Sequence, residues 1–291
     1  MSPSSGAEQA VAIVTDSTAD LDPADARERG IAVVPLFVNF GDARFRDRVD
    51  LSLEEFYRKL ASLNLLPTTA QPTPAMFEDA FRPHVEAGRA IVCLTIMGSL
   101  SGTINAANVA AQAFPAAAIH VVDSQSVAGG LALLAQHASD VARAGADLDI
   151  VLETVARDVG ALRGFAAIPD LSHAVRTGRV SRAQAFVGSL VKIVPVLRIG
   201  GGKVEEYARV RTFARALETM IDASAAIANE ADGARICVIH SHTSEEANRV
   251  VAALGAKVVT APAQFELLEA GPVLGTHAGQ GAIGIFVIPG R

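Results

Sequence analysis

Tryptophan is absent from this chain of 291 residues, tyrosine occurs only twice, and aromatic residues make up 5% of the sequence. A cage of aromatic side chains around a ligand is therefore disfavoured, and the core must consist of Ala, Val, Leu and Ile. Only two cysteines are present, Cys93 and Cys237, and both lie in apolar runs. We predict two inert core thiols, because so few cysteines cannot form a disulfide scaffold.

Basic residues are too few for a nucleic-acid-binding surface. There are 25 Lys and Arg against 31 Asp and Glu, which gives a formal net charge of −6. A protein that binds nucleic acid needs clustered positive charge, so we exclude this class. No apolar run is long enough to span a bilayer, although half of the residues are hydrophobic and the mean hydropathy is +0.33. The N-terminal segment has no basic stretch followed by an apolar one, so we expect no signal peptide and a cytoplasmic location.

Short β-branched runs alternate with amphipathic segments over the first half of the chain. This alternation is typical of a parallel sheet covered by helices on both faces. We therefore predict an N-terminal Rossmann-like α/β domain over residues 10–160. Its predicted strands are Val11–Val14, Ile31–Phe40, Ala90–Thr95 and Ile119–Val122, and its predicted helices are Leu53–Leu63, Pro74–Val85, Gly102–Ala113 and Gly129–Arg143.

The strand-like runs lie closer together after residue 160. Gly200-Gly201-Gly202 joins two of them directly, which indicates a hairpin and hence antiparallel pairing. We predict a C-terminal α+β domain over residues 161–291, with a mainly antiparallel sheet and a ligand cleft facing the first domain. Helices Thr212–Asn229 and Ser244–Leu254 should cover one face of a sheet with predicted strands Phe165–Ile168, Ile193–Ile199, Lys203–Ala208, Arg235–Ser241, Lys257–Ala261 and Ile283–Ile288.

A glycine-rich segment precedes the last predicted strand. Gly279-Gln280-Gly281-Ala282-Ile283-Gly284 has the letters of a dinucleotide-binding loop, but it opens no helix, so we reject that interpretation. These glycines are expected to let the backbone pass close to a ligand, and His277 is the polar group that the ligand would meet. The alternative is a neutral histidine that caps a turn.

A serine-rich turn follows the predicted strand Ala90–Thr95. Gly98-Ser99-Leu100-Ser101-Gly102 is not a hydrolase nucleophile elbow, because Leu100 stands where the serine would have to be. We predict Ser101 as the N-cap of the next helix, whose free N–H groups and hydroxyls could bind an anion. A cap without a ligand is the alternative.

Two other loops carry polar side chains. Asp16 and Ser17 follow the first strand at its carboxyl end, where α/β sheets bind ligands, although both could simply cap the turn. A second Asp needed for aspartyl-phosphate chemistry is missing there. The hydroxyl-rich segment Thr68–Pro74 is predicted as a loop that leads into a helix, with Pro74 in the first turn.

Histidine and arginine form smaller clusters. His240 and His242 have no third ligand at metal spacing, so we predict no metal site. Arg176, Arg209 and Arg211 lie in local basic spots of an acidic chain. They are either solvated surface charges or contacts for an anionic group or an acidic partner.

Taken in order, these segments resemble the DegV family of bacterial fatty-acid-binding proteins, from about Ala12 to Ile288. The segments that carry the resemblance are Val14–Leu21, Thr69–Pro72, Leu100–Thr103, Arg176–Ser181, Lys192–Leu197 and Gly275–Gly281.

The resemblance implies that the chain binds one long-chain fatty acid, such as palmitate or oleate, between its two domains. It further implies that the chain catalyses nothing, uses no cofactor, and presents the carboxylate to a separate fatty-acid kinase, which makes the acyl phosphate. Transient contact with a membrane is compatible with this role. Carried over by position, Thr69, Ser101 and His277 bind the carboxylate, and Arg176, Arg209 and Arg211 face the kinase. Supporting positions in the loops are Asp16, Ser17, Gly102, Thr103, Gly279 and Gln280.

Two other functions stay open at this stage. One is a hydrolase or transferase that acts on a small anion with Asp16, Ser101 and His277. The other is a regulatory lipid sensor that uses the same pocket but binds a different partner.

Overall fold

The computed structural model describes residues 10–62, 66–179, 193–260 and 263–290, which contain three β-sheets and ten α-helices. The strands are β1 (Val11–Asp16), β2 (Ile31–Val34), β3 (Phe37–Phe40), β4 (Ala43–Arg46), β5 (Thr68–Ala70), β6 (Ala90–Thr95), β7 (Ile119–Asp123), β8 (Arg163–Ala167), β9 (Val194–Gly200), β10 (Lys203–Val210), β11 (Arg235–His240), β12 (Gln264–Glu269) and β13 (Ile283–Ile288). The helices are α1 (Pro23–Glu28), α2 (Leu53–Ser62), α3 (Pro74–Glu86), α4 (Thr103–Ala111), α5 (Gly129–Arg143), α6 (Leu148–Ala161), α7 (Ser172–Arg176), α8 (Phe213–Ala228), α9 (Ser244–Lys257) and α10 (Pro272–Ala278).

The first sheet is entirely parallel, in the order β2-β1-β6-β7. Every residue of β1 is buried. Val11 and Ile13 pack with α5, whereas Ala12 and Val14 pack with α3 and α4 on the opposite face. Apolar side chains on both faces are what a parallel sheet covered by helices requires, so this prediction is confirmed.

The second sheet is mainly antiparallel, in the order β10-β9-β8-β13-β11-β12. Only β11 and β12 run parallel to each other. The three glycines at 200–202 connect β9 to β10 with positive φ at each position, as the predicted hairpin needs. Helices α8 and α9 cover one face of this sheet, through side chains such as Met220 and Val250.

Helix α5 lies between the two sheets. Eleven of its 15 residues are buried, and it contacts β1 and β6 on one side and β11 and β13 on the other. One continuous apolar cluster therefore includes Ile13 of the first sheet, Leu131 of the helix and Ile239 of the second sheet. The chain passes from one sheet to the other between α6 and β8, close to the domain boundary predicted at 160/161. This boundary stays a prediction, because the apolar cluster contains residues from both predicted domains.

The strand predicted over Ile31–Phe40 is divided in two. Pro35 follows β2, and β3 leaves the parallel sheet to pair with β4 and β5 in a third, antiparallel sheet. A proline has no N–H to donate to a sheet ladder, so an unbroken strand through this position is disfavoured. The prediction of one strand was therefore wrong, and the segment predicted as a polar loop contains the short strand β5.

The strand predicted over Lys257–Ala261 is also wrong. Helix α9 continues to Lys257, because Ala247, Val250 and Leu254 keep a buried face at helical spacing. Residues 258–260 form no strand, Val259 is 81% exposed, and residues 261–262 lie outside the described ranges. The strand next to β11 is instead β12, at the edge of the sheet.

Candidate functional site

An apolar cavity of about 130 Å³ lies between the second sheet and the start of α5. The inner face of the sheet contributes Ala166, Leu197, Ile199, Ile239, Gly284 and Phe286. Val127 and Ala128 close it from the α5 side, and Leu274 and His277 of α10 lie at its edge. The surface of the cavity is predominantly apolar, which favours an apolar occupant.

Small residues on neighbouring strands create this cavity. Ala166 of β8 pairs with Gly284 of β13, and this pair lies between Leu197 of β9 and Ile239 of β11. Paired residues in an antiparallel sheet point to the same face, so the Ala and Gly positions leave room above the sheet.

A polar opening lined by Thr69, Gln71, Ser101 and His277 adjoins the cavity, and His277 borders both spaces. Thr69 lies on β5, and His277 lies near the end of α10, 208 positions later in the chain. Their side chains meet, with 2.9 Å between Thr69 Oγ1 and His277 Nε2. The third sheet brings them together, because Val38 of β3 packs in the same apolar cluster as Val273 of α10.

His277 is neutral near pH 7. Burial and the positive charge of Arg179 lower the pKa of His277 to about 4. Its Nδ1 is buried without a hydrogen-bond partner. When Nε2 carries the hydrogen, it donates to Thr69 Oγ1, and the Thr69 hydroxyl can then donate to a ligand oxygen.

Ser101 lies on the loop between β6 and α4, and the prediction that Ser101 is the N-cap of this helix was wrong. The N-cap of α4 is Gly102, although the Ser101 hydroxyl still accepts a hydrogen bond from Thr103 N at 3.3 Å. Ser101 Oγ also lies 2.8 Å from Thr103 Oγ1. A Cβ at position 102 would collide with the Gln71 side chain, so the glycine permits this close approach. The loop thus places two hydroxyls and the N–H groups of a helix start near the opening.

Two residues at this opening were missed as individual site residues. Arg179 is exposed and borders the apolar cavity, the polar opening and an adjoining outer groove. Gln71 borders the polar opening. Both occur inside sequence segments that resemble the DegV family, and that was the signal that could have identified them.

Asp16 does not join Ser101 and His277. Its carboxylate is fully buried and accepts hydrogen bonds from Thr18 N at 3.0 Å and from Ile96 N at 2.7 Å. It therefore caps the turn after β1 and links that turn to β6. Ser17 is similarly occupied, since its hydroxyl donates to Asp47 Oδ2 at 2.7 Å.

Gly279 and Gln280 follow α10. Gly279 has a φ of 68°, and a Cβ there would lie 3.1 Å from the His173 ring of α7. Gln280 is exposed. These residues end the helix that carries His277 and seat it against α7.

The three arginines predicted to contact a partner are all exposed. Arg176 ends α7 and borders the outer groove together with Arg179. Arg209 pairs with Glu206 at 2.6 Å near the end of β10, and Arg211 follows that strand. The end of β10 lies beside the start of β9, at the edge of the sheet where β8 leads into α7.

A buried charged cluster supports the start of α10. Asp20 Oδ1 accepts a hydrogen bond from Gly271 N at 2.6 Å, and Arg48 Nη2 lies 3.7 Å from the same oxygen. Arg48 also donates to the carbonyl oxygen of Glu269. Burial raises the pKa of Asp20 to about 7 and that of Asp47 to about 6. The position of α10, and so of His277, depends on these contacts.

Both cysteines are free and buried, and burial raises their pKa, which fits inert core thiols. Within the described residues, no group of three His, Cys, Asp or Glu side chains is arranged to bind a metal ion. In the same part of the chain, no helix is long and apolar enough to cross a membrane.

The fold and site define an α/β protein with an apolar cavity next to a polar opening. Residues 10–290 match the family described as "Uncharacterised protein, DegV family", and the chain belongs to this family. A curated DegV domain-containing protein of Halalkalibacterium halodurans is 32% identical over 276 residues, which is 94% of this chain and 97% of that protein.

Solved structures show the same fold. A DegV family protein from Thermus thermophilus, described as binding a fatty acid, has a TM-score of 0.87 and 32% identity, covering 96% of this chain and 99% of the other. DegV of Bacillus subtilis, described as a fatty acid binding protein, has a TM-score of 0.86 and 28% identity, with the same two coverages. The two-sheet fold and the family predicted from the sequence are thus confirmed.

Proposed function

We propose that this protein binds one long-chain fatty acid, with the tail in the apolar cavity and the carboxylate at the polar opening. The observation that carries the proposal is that the apolar cavity and the polar opening share His277, which contacts Thr69 at the opening. The fatty-acid binding described for the Thermus and Bacillus proteins supports it.

The tail supplies most of the affinity. Burial of a methylene is worth ~0.8 kcal/mol, so a chain of about fourteen methylenes contributes roughly 11 kcal/mol before the costs of association. Thr69, Ser101 and neutral His277 provide hydrogen bonds rather than a buried opposite charge. The carboxylate oxygens therefore stay accessible to a second protein.

We expect Thr69→Ala and Ser101→Ala each to weaken fatty-acid binding by about 10- to 100-fold, because hydrogen bonds to a charged group are worth ~1.5–3 kcal/mol. Affinity is measured by displacement of a fluorescent fatty acid. Thr68→Ala is the matched control, since Thr68 precedes Thr69 on β5, is exposed, and points to the opposite face. Equal affinity of Thr69→Ala and Thr68→Ala would argue against the proposed carboxylate site.

Mass spectrometry of organic extracts from the purified protein tests the function directly. The expected result is one fatty acid per chain without added lipid, and less of it in Thr69→Ala and Ser101→Ala. A wild-type protein that is empty and takes up neither palmitate nor oleate contradicts the proposal.

The second part of the proposal is that this protein acts in the cytoplasm and presents the bound carboxylate to a separate fatty-acid kinase, without catalysis of its own. Arg176, Arg209 and Arg211 lie exposed near the same edge of the second sheet, and Arg176 borders the groove beside the opening. A positive rim around a site attracts and orients an acidic partner. Transient contact of this edge with an anionic membrane belongs to the same proposal.

We expect the double variant Arg176→Glu/Arg211→Glu to raise the KM of a fatty-acid kinase for the loaded protein by about tenfold, with a smaller difference at high salt. Fatty-acid affinity should not change. Arg143→Glu is the control, because Arg143 is exposed at the far end of α5. An unchanged KM in the double variant contradicts the assigned arginine contact, and a loaded wild type that the kinase does not accept favours the lipid-sensor alternative.

The hydrolase or transferase alternative has less support. The Asp16 carboxylate is buried and already accepts three hydrogen bonds, from Thr18 N, Thr18 Oγ1 and Ile96 N. It borders neither the apolar cavity nor the polar opening. Turnover of an ester or phosphate substrate that is lost in Ser101→Ala is the result that favours an enzyme.

A further inference from the structure

We infer that Phe286 sets the upper limit on the length of the acyl chain that this protein accepts. The inference rests on the proposed function and adds to it the residue at which the terminal methyl group stops. It is drawn from the arrangement of small and large side chains along β8, β11 and β13.

Phe286 borders the cavity farther along β13 from α10 than Gly284 does, and we place it at the end away from the polar opening. It lies on β13, is 1% exposed and borders the same cavity as His277. Gly284 precedes it by two positions, so both residues face α5, roughly 7 Å apart along the strand. The cavity therefore has a floor at Ala166 and Gly284 and a wall at the Phe286 ring.

The ring is held in place by glycines. A Cβ at Gly164, the residue paired with Phe286 on β8, would lie 2.5 Å from ring carbons. At Gly130 of α5 the corresponding distance is 2.8 Å, at Gly129 it is 3.0 Å, and at Gly284 it is 3.1 Å. Four positions without a side chain thus surround one aromatic ring between the sheet and the helix.

This arrangement makes Phe286 a rigid stop. Because glycine backbone surrounds the ring, it cannot move aside without colliding with main-chain atoms or with Leu162, whose side chain lies near Gly130. A fatty-acid tail that lies over Ala166 and Gly284 ends against this ring. The chain-length limit is set by the distance from the Thr69–His277 pair to the ring.

Two substitutions should move the limit in opposite directions. Phe286→Val removes most of the ring, so longer chains should fit. Gly284→Ala raises the floor beside the ring, where a Cβ would lie 3.0 Å from Ile239 and 3.1 Å from Phe286, so the limit should move to shorter chains. Both changes lie on the tail side and leave the carboxylate site intact.

The experiment measures the affinity of saturated fatty acids of about 12 to 20 carbons by competition with a fluorescent fatty acid. In the wild type, affinity should rise about fourfold with each added methylene up to one chain length and then stop rising, which we call the break. The break should occur at a longer chain in Phe286→Val and at a shorter one in Gly284→Ala. The control is Phe81→Val, because Phe81 is equally buried but packs against the first sheet, away from the cavity.

Identical break positions in the wild type and Phe286→Val would overturn the inference. If Phe286→Val does not fold, Phe286→Leu applies the same test, and Gly284→Ala supplies the opposite shift. If the wild type binds fatty acid but its affinity breaks at the same chain length as in both variants, the role of Phe286 is rejected and the proposed function is not. A wild type that binds no fatty acid of any length rejects the proposed function, and the inference with it.

Discussion

Ala166→Phe is expected to abolish the binding of long-chain fatty acids and to leave the ligand-free protein folded. Ala166 lies on the floor of the apolar cavity, beside Gly284 and Leu197. A phenyl group at this position occupies the space that the proposed tail needs. If about seven methylenes lose their burial, roughly 5–6 kcal/mol of binding free energy is lost, which is more than a thousandfold in affinity.

The fold should tolerate the change, because the added ring fills a cavity instead of displacing packed side chains. Thermal unfolding with and without fatty acid measures both effects. A bound ligand stabilises the folded state by mass action, so the wild type should gain several degrees with fatty acid and Ala166→Phe should gain none.

Ala43→Phe is the matched control for this prediction. Ala43 is exposed on β4, far from the cavity lining, so the same substitution there should keep full affinity. An Ala166→Phe protein that still binds palmitate as tightly as Ala43→Phe would show that the tail lies elsewhere.

Asp20→Asn is expected to stabilise the protein at pH 8 relative to the wild type and to reduce the pH dependence of its stability. Burial raises the pKa of Asp20 from 3.8 to about 7 in the folded protein. Between these pH values the folded state binds a proton that the unfolded state releases. The free energy of unfolding therefore falls as the pH rises through this window, by at most ~1.4 kcal/mol per pH unit for one proton.

Asparagine mimics the protonated carboxyl group. Its amide oxygen can still accept the hydrogen bond from Gly271 N, which Asp20 Oδ1 accepts at 2.6 Å. The burial cost of a charge is removed, whereas the contact that seats α10 is kept. The attraction between Arg48 and Asp20 is lost. Arg48 still interacts with Asp47, where its positive charge partly offsets the effect of burial on the pKa of Asp47.

Urea unfolding at several pH values between 5 and 8 checks this prediction. The difference in unfolding free energy between Asp20→Asn and the wild type should grow with pH, because groups that do not interact with Asp20 contribute equally to both proteins. Asp42→Asn is the control, since it makes the same substitution at a carboxylate that is exposed in a turn. A constant difference from pH 5 to pH 8 would mean that Asp20 does not titrate in this window.

The parallel sheet and the mainly antiparallel sheet could both be predicted from sequence. β1 and β6 are continuous apolar runs, and the three glycines at 200–202 indicate a hairpin. Local patterns decide these features, because a strand buried on both faces or a turn with positive φ limits the residue types directly. Resemblance to the DegV family then predicted Thr69, Ser101 and His277 as residues of one site.

Pairings between distant segments could not be predicted in this way. The third sheet depends on β3 pairing with β5, and nothing within Phe37–Phe40 indicates that partner. The strand β12 was also missed, and its Phe265 and Leu267 are exposed whereas Glu266 between them is partly buried, the reverse of the usual pattern of an edge strand. The sequence around Arg179 indicates only a local basic segment, and its position beside His277 is visible only in the fold.

Local periodicity and composition are enough to predict the layered α/β class, the hairpin and the chemical types available at the site. That Asp16 is a buried cap, that Asp20 supports α10 and that Phe286 borders the cavity depends on the folded chain. Each of these roles depends on which atoms meet across the fold. Burial, hydrogen bonding and the pKa of a side chain are set by neighbours that are far away in the sequence.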